Sequence, residues 1–251
     1  MIRHFSFALI CMVAVCASAD TQDSTLTTTS PAPSPPSAEK ITFSYVKVDG
    51  PYIAMTFDDG PNAINTPKLL EMAAQRHIKL TFFVIGQCVQ ENPALLRREV
   101  AEGHEVGNHT WSHPNLAKLP DDGVRTQLQQ TEDIIVKTIG IKPKLMRPPY
   151  GALTKRQQQW VNHDFGYKII LWDVDPVDWK RPGSDVVAQR IIAGARSGSI
   201  ILSHDIHPGT IAAMPQVFDA LLAKGFKFVT VSELIAHAQT SPKPAPSVPA
   251  Q

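Results

Sequence analysis

The chain has 251 residues, 43% of them hydrophobic and 19% charged, with 24 Lys and Arg against 23 Asp and Glu for a formal net charge of +1. That length can bury one sizeable core. A balance so near neutrality excludes the broad cationic surface that binds nucleic acid or an anionic membrane.

Residues 1–19 carry Arg3, an apolar run from Phe5 to Val15 and then Ala17-Ser18-Ala19, the order of a secretory signal peptide with its small-x-small cleavage site. The run is shorter than the roughly 20 apolar residues of a spanning helix. Export to the periplasm, the cell envelope or the medium is therefore expected, with no stable membrane insertion after cleavage. Lipidation at Cys16 is the lesser alternative, because Val15 is bulkier than the small residue that precedes a lipidated cysteine. Cleavage removes Cys11 and Cys16, so Cys88 stands alone as a small core residue and no internal disulfide is expected.

Residues 20–40 are dominated by Ser, Thr, Pro and Ala, a composition that cannot bury a core and reads as a tether. Residues 240–251 repeat it as a disordered tail. Between them, residues 41–239 read as one domain. Short β-rich runs predict strands over 52–57, 80–85, 105–108, 144–147, 168–172, 199–203 and 226–229. Helical apolar spacing predicts helices over 66–76, 93–102, 122–138, 155–163, 183–195 and 214–224. Strand-helix units without an internal sequence repeat indicate an α/β barrel or a doubly wound parallel sheet.

Polar residues gather where such barrels assemble their sites. Asp58, Asp59, His109, Arg147, Asp173 and His204 each fall at or just beyond the C-terminal end of a predicted strand. Adjacent carboxylates at a strand end diverge, so one of Asp58 and Asp59 can hold a metal while the other moves a proton. Taken alone, Asp58-Asp59-Gly60-Pro61 reads equally well as a turn. His109 and His113 are four apart, and on a helical turn they share a face and can close on one ion. Arg147 precedes two prolines that stiffen its backbone, which suits a guanidinium held against a carboxylate. Trp172 reads as a core residue at a strand end, and His77, His104, His163 and His237 fit no chemical spacing. A serine hydrolase is disfavoured because the chain has no Gly-x-Ser-x-Gly elbow.

Five segments in order carry a joint pattern: Thr56-Phe57-Asp58-Asp59-Gly60-Pro61, His109-Thr110-Trp111-Ser112-His113, Arg147-Pro148-Pro149-Tyr150-Gly151, residues 172–179, and Leu202-Ser203-His204-Asp205-Ile206-His207. Over residues 41–235 the chain resembles the NodB-type polysaccharide deacetylases, carbohydrate esterase family 4. The resemblance implies a distorted, incomplete (β/α) barrel. It implies Asp58 as the catalytic base and Asp59, His109 and His113 as ligands of one divalent ion, expected to be zinc, with cobalt, nickel or iron able to replace it. Such an ion lowers the pKa of a bound water toward about 7, and Asp58 takes its proton.

By the same resemblance Arg147 orients Asp58, and the main-chain N–H of Tyr150 helps stabilise the oxyanion. His204 is the implied acid for the leaving amine, with Asp178 beside it to favour the charged imidazole. His207 and Asp205 are its competitors by position, Asp205 being the better candidate for a loop brace. Ser112 is expected to add a hydrogen bond behind the ligands. Trp179, Tyr150 and Leu202 are expected to wall the sugar site.

The implied reaction is hydrolysis of N-acetyl groups from N-acetylglucosamine units of a cell-envelope polysaccharide. Peptidoglycan is the first candidate and a chitin-type oligosaccharide its rival, followed by an O-acetyl-glycan esterase acting on xylan. A carbohydrate-binding protein without turnover is the remaining alternative, and the five intact motifs argue against it. The polysaccharide is the one partner implied.

Overall fold

The computed structural model describes residues 40–240. The signal at 1–19, the tether as far as residue 39 and the tail beyond residue 240 lie outside the described residues. Strands and helices alternate along them: β1 (Thr42–Phe43), β2 (Tyr52–Asp58), α1 (Asn65–Gln75), β3 (Thr81–Val84), α2 (Gly86–Glu91), α3 (Pro93–Ala101), β4 (Glu105–Asn108), α4 (Asp121–Ile139), β5 (Leu145–Met146), α5 (Lys155–Phe165), β6 (Lys168–Ile170), α6 (Ser184–Gly194), β7 (Ile200–Ile201), α7 (Pro208–Ala223), β8 (Lys227–Phe228) and α8 (Val231–Thr240).

Every strand pairing is parallel, in the order β1-β6-β5-β4-β3-β2-β7 with β8 also on β2. No ladder joins β7 to β6 or β1. Isolated bridges, Val174 to Ile201 and Tyr45 to Ser199, span that gap instead. The sheet is thus an incomplete (β/α) barrel, as the sequence implied.

Parallel sheets are covered on both faces, so their strands read as near-continuous apolar runs with the side chains alternating between two environments. In β2, Ile53, Met55 and Phe57 face outward into a core with Leu69, Leu70, Phe82, Val217 and Phe218. Ala54 points the other way, into a cluster with Phe83, Leu145, Ile170 and Ile200, which α8 joins through Val231, Leu234 and Ile235. The start of α8 is tied to the N-terminal ends of two strands. The Val231 N–H donates to Thr81 Oγ1 at 3.0 Å and the Ser232 N–H to Glu105 Oε2 at 3.0 Å. Thus α8 fills the interior from the end opposite the strand termini that carry Asp58 and His109.

Local signals explain several helix ends. The Thr154 and Gln157 side chains form a capping box on α5, and Gly140 and Gly166 end α4 and α5 in the left-handed conformation. Elsewhere the structure departs from the predicted elements. β1, α2 and α8 are additional; β1 and α2 are too short to show a clear period. α7 begins at Pro208 rather than near 214, since proline suits a first helical position while Gly209 weakens the local helix signal. The strands near 168–172 and 199–203 are shorter than expected, because a ladder persists only where a neighbour lies alongside and the barrel is open there.

Gly107 in β4 lets this sheet close up: a Cβ there would lie 2.6 Å from the Phe83 ring and 3.2 Å from the Leu145 carbonyl oxygen. Gly107→Ala is expected to destabilise the domain by about 1–3 kcal/mol through overpacking. Denaturant unfolding should show a lowered midpoint with an unchanged slope.

Candidate metal centre and active site

Thr56 and Asp58 share the interior face of β2 with Ala54, and between them they receive the side chain of Arg147. This arginine follows β5 and is 0% exposed, the largest fully buried side chain among the described residues. Its Nη1 donates to Asp58 Oδ1 at 2.7 Å and to Thr56 Oγ1 at 2.7 Å. Nε donates to the Ile170 carbonyl at 3.2 Å and Nη2 to that of Leu171 at 3.1 Å. The Phe83 ring lies 4.2 Å from the guanidinium. Burial pushes the arginine pKa down, and the Asp58 carboxylate opposes that shift.

The same residue orients a histidine. Nδ1 of His109 sits 2.7 Å from the Arg147 carbonyl oxygen, so Nδ1 carries the proton and Nε2 presents its lone pair inward. Nε2 of His109 and Nε2 of His113 each lie 3.5 Å from Asp59 Oδ1, and His109 Nε2 lies 3.7 Å from Asp58 Oδ2. One donor atom from each of Asp59, His109 and His113 falls within 4.8 Å of the others. Asp59 Oδ1 is buried without a hydrogen-bond partner. A lone pair facing an orphaned carboxylate oxygen calls for a positive charge between them, and two imidazoles with one carboxylate suit a divalent cation. Burial acts to raise the Asp59 pKa, yet the hydrogen bond to His109 and the imidazoles of His109, His204 and His113 around it bring it down to about 2. The His113 pKa is lowered, first by burial and then by His109.

The stretch from His109 to His113 is not the expected helical turn. Thr110 and His113 adopt left-handed φ values of 72° and 60°, and polar side chains hold the loop in place of a helical ladder. Asn108 Oδ1 accepts from the Thr110 N–H at 2.8 Å, and Gln127 Oε1 on α4 accepts from the Trp111 and Ser112 N–H groups at 3.0 Å each. Thr110 Oγ1 accepts from the His113 N–H at 3.1 Å. The Ser112 hydroxyl faces Gln127 and not the histidines, which corrects its expected place behind the ligands.

Across the cleft, Asp178 lies in a single 3-10 turn (Asp178–Lys180) and is buried. Its Oδ1 is 2.8 Å from His204 Nδ1, while Oδ2 accepts from the His204 N–H at 2.8 Å and the Thr210 hydroxyl at 2.7 Å. Burial alone would lower the imidazole pKa. Asp178, helped by Asp58 and Asp59, outweighs it and lifts His204 to about 9. Asp205 is turned away beneath the β2–α1 loop, where it accepts from the Thr66 hydroxyl and occupies the space a side chain at Gly60 would need. Burial, reinforced by the charges of Asp59 and Asp58, raises its pKa to about 7 against the Thr66 hydrogen bond.

Asp58, Asp59, His109, His113 and His204 open onto one cleft of about 550 Å³, lined also by Tyr150, Trp179, Leu202 and His207. Tyr150 and Trp179 are 68% and 52% exposed, so two aromatic faces stand at the mouth. Trp172 lines this cleft too, correcting its expected place in the core. Asp175 and Ile206 line it as well; both lie inside motif segments, 172–179 and 202–207, although neither was singled out there. Asp173 lies outside, where it accepts from the Ile200 N–H at 2.9 Å and the Ser199 hydroxyl at 3.1 Å and so ties the end of β6 to β7. The Cys88 thiol is half-buried in α2 and pushed up to about 11, chiefly by burial, which makes it a poor nucleophile.

Residues 45–170, half of the chain, match the polysaccharide deacetylase family. The peptidoglycan-N-acetylglucosamine deacetylase PgdA of Listeria monocytogenes is 42% identical over 182 residues, 72% of this chain and 38% of that protein. The present chain therefore spans well under half the length of that relative. A chitooligosaccharide deacetylase of Sinorhizobium fredii is 37% identical over 190 residues, 70% of this chain and 88% of that protein. Among solved structures, peptidoglycan deacetylase PdaC from Bacillus subtilis superimposes with a TM-score of 0.73 at 38% identity, covering 77% of this chain and 94% of that one.

The His204 and Asp178 pair sets a pH dependence. A histidine whose folded pKa is about 9, against an ordinary 6.5, contributes stability in full below pH 6.5 and loses it as pH rises through 9. Asp178→Asn should bring the His204 pKa, followed by NMR titration, to 6.5 or below. The stability difference between wild type and variant should be larger at pH 6 than at pH 10.

Proposed function

The chain belongs to the polysaccharide deacetylase family, and from that footing we propose that it hydrolyses N-acetyl groups of N-acetylglucosamine units in an envelope polysaccharide, releasing acetate. Peptidoglycan is the first substrate. The observation that carries this reading is the convergence of Asp59, His109 and His113 within 4.8 Å, beside a buried Asp58 and opposite a protonated His204. The signal read at residues 1–19 supports export to where such a substrate lies.

Asp59, His109 and His113 would hold the divalent ion, for which zinc is our choice on the mixed nitrogen and oxygen donor set. Bound there, it supplies Lewis-acid polarisation and acidifies water. The remaining work belongs to side chains. Tyr150, Trp179 and Leu202 seat the sugar and its acetyl group and exclude solvent. Asp58 is the base: Arg147 occupies Oδ1, leaving Oδ2 on the His109 side to accept the proton of the attacking water.

The N–H of Tyr150, at a backbone φ of 59° held by the preceding prolines, is assigned to the developing oxyanion. His204, with Nδ1 engaged by Asp178, turns Nε2 to the cleft and donates its proton to the departing nitrogen. The C–N bond then breaks to give acetate and a free amine. A chitin-type oligosaccharide is the second reading, favoured by the likeness to a chitooligosaccharide deacetylase that this chain spans nearly end to end.

The deciding experiment incubates metal-loaded protein with peptidoglycan and with chitin oligomers and detects new amines by mass spectrometry. Absence of metal-dependent acetate release from either would overturn the reading. Asp58→Asn is expected to keep its metal and lose at least about 10²-fold in kcat, whereas His109→Ala should fail to retain metal in a competition titration. His204→Ala should slow amide cleavage far more than cleavage of an ester with a good leaving group, and equal losses on both would contradict its role as acid.

A further inference from the structure

His204 and Asp205 are consecutive beyond β7, and their side chains part. His204 lines the cleft, whereas Asp205 is 0% exposed behind it. The backbone pairing of β2 with this segment ends just here. The Asp58 N–H donates to the Ser203 carbonyl at 2.9 Å and Asp58 bridges His204, and beyond them no backbone hydrogen bond joins the two segments among the described residues. Asp59 and Gly60 are tied to the β3 side instead. The Asp59 N–H donates to the Phe83 carbonyl at 3.2 Å, and the Gly60 carbonyl accepts from the Ile85 N–H at 3.0 Å. Toward β7, a side-chain link takes the place of backbone pairing.

That link runs in one direction. The Asn62 N–H donates to Thr66 Oγ1 at 2.7 Å, and the Thr66 hydroxyl donates to Asp205 Oδ2. Asn62 Oδ1 accepts from the Ile64 and Asn65 N–H groups at 3.0 Å each, so the loop that follows the ligand Asp59 and the first turn of α1 are gathered onto this one carboxylate. Gly60 closes over it, since a Cβ there would lie within 2.6 Å of both carboxylate oxygens. No ion pair shares the task. Asp205 makes none among the described residues, its Oδ1 is buried without a partner, and the nearby charges of Asp59 and Asp58 have its own sign. The buried Glu99 carboxyl that also acts on it forms no hydrogen bond. The Thr66 hydroxyl therefore holds a carboxylate that would be costly to strand.

We infer that Thr66 and Asp205 are positioning residues, which set the metal ligand Asp59 and the acid His204 on one brace across the cleft. Loosening the brace weakens metal binding and misplaces the acid together. The inference rests on the deacetylase reading of this site and deepens it.

Thr66→Val removes the link with no change of charge and little change of shape. Its zinc affinity, measured by competition with a chromophoric chelator, should fall about 10-fold, and Thr66→Ser, which restores the hydroxyl, should bind within about 2-fold of wild type. Gly60→Ala, which lifts the loop off Asp205 without removing a hydrogen-bonding group, should also lower the affinity and carries the test if Thr66→Val does not fold. Gly140→Ala, strained at φ 70° where α4 ends, should lower the unfolding midpoint and leave zinc affinity unchanged. At saturating zinc, Thr66→Val should still cleave the amide more slowly than wild type, while cleavage of an ester with a good leaving group returns close to the wild-type rate. Wild-type affinity in Thr66→Val or Gly60→Ala, a loss that Thr66→Ser does not restore, an equal loss in Gly140→Ala, or amide and ester rates that recover together overturns the proposal. Zinc titration does not depend on turnover. The expected pattern of affinities in a protein that releases no acetate would therefore sink the deacetylase reading and leave the brace on the metal ligand standing.

Discussion

The buried contact between Arg147 and Asp58 is the constraint around which the rest of the site is organised. A guanidinium inside a barrel is tolerable only when its donors are satisfied and its charge is met, because stranding either partner in a dry interior costs several kcal/mol. Here the donors reach β2 through Thr56 and Asp58 and the end of β6 through two carbonyls, while the carbonyl of Arg147 itself engages His109. One residue thereby sets the orientation of a carboxylate and of an imidazole that belong to different strands. The sheet need not close as a ladder near β6 for this to work, since the arginine bridges its interior.

Around that anchor the backbone adopts conformations that residues with side chains seldom take. Among the described residues, seven other than glycine have positive φ; six of them (Asp59, Thr110, His113, Tyr150, Val177 and Arg181) lie in the loops around the site, and His77 stands apart. Such residues are costly one by one, by about 1–3 kcal/mol, and persist where surrounding contacts dictate them. The hydrogen bonds from Asn108, Thr110 and Gln127 provide those contacts for the histidine loop. The left-handed φ at Thr110 and His113 brings the imidazole of His113 back over Asp59 instead of along a helix.

The acidic side chains in and behind the cleft are divided by environment. Asp59 is held below the usual carboxylate range by its hydrogen bond to His109 and by the imidazoles around it, and Asp178 is lowered despite burial by its bonds to His204 and Thr210. Asp205, one residue beyond His204, is driven up to about 7 by burial and by nearby negative charge. Position along the chain does not decide these states. The charges and donors that each carboxylate meets across the fold decide them.

By itself the sequence determined the α/β class, the parallel order of strand and helix units, and the set of polar residues that cluster at strand ends, because side-chain periodicity and motif spacing are local properties of the chain. Tertiary structure alone decided which of those residues meet. Asp58 and Arg147 are 89 positions apart and Asp178 and His204 are 26 apart, so their contacts exist only once the strands are packed. It also decided that residues 109–113 form a strained loop and not a helical turn, that Asp173 ties strands outside the cleft while Trp172 lines it, and that α8 closes the barrel interior. In each case the deciding partner lies far away in sequence, where periodicity carries no information.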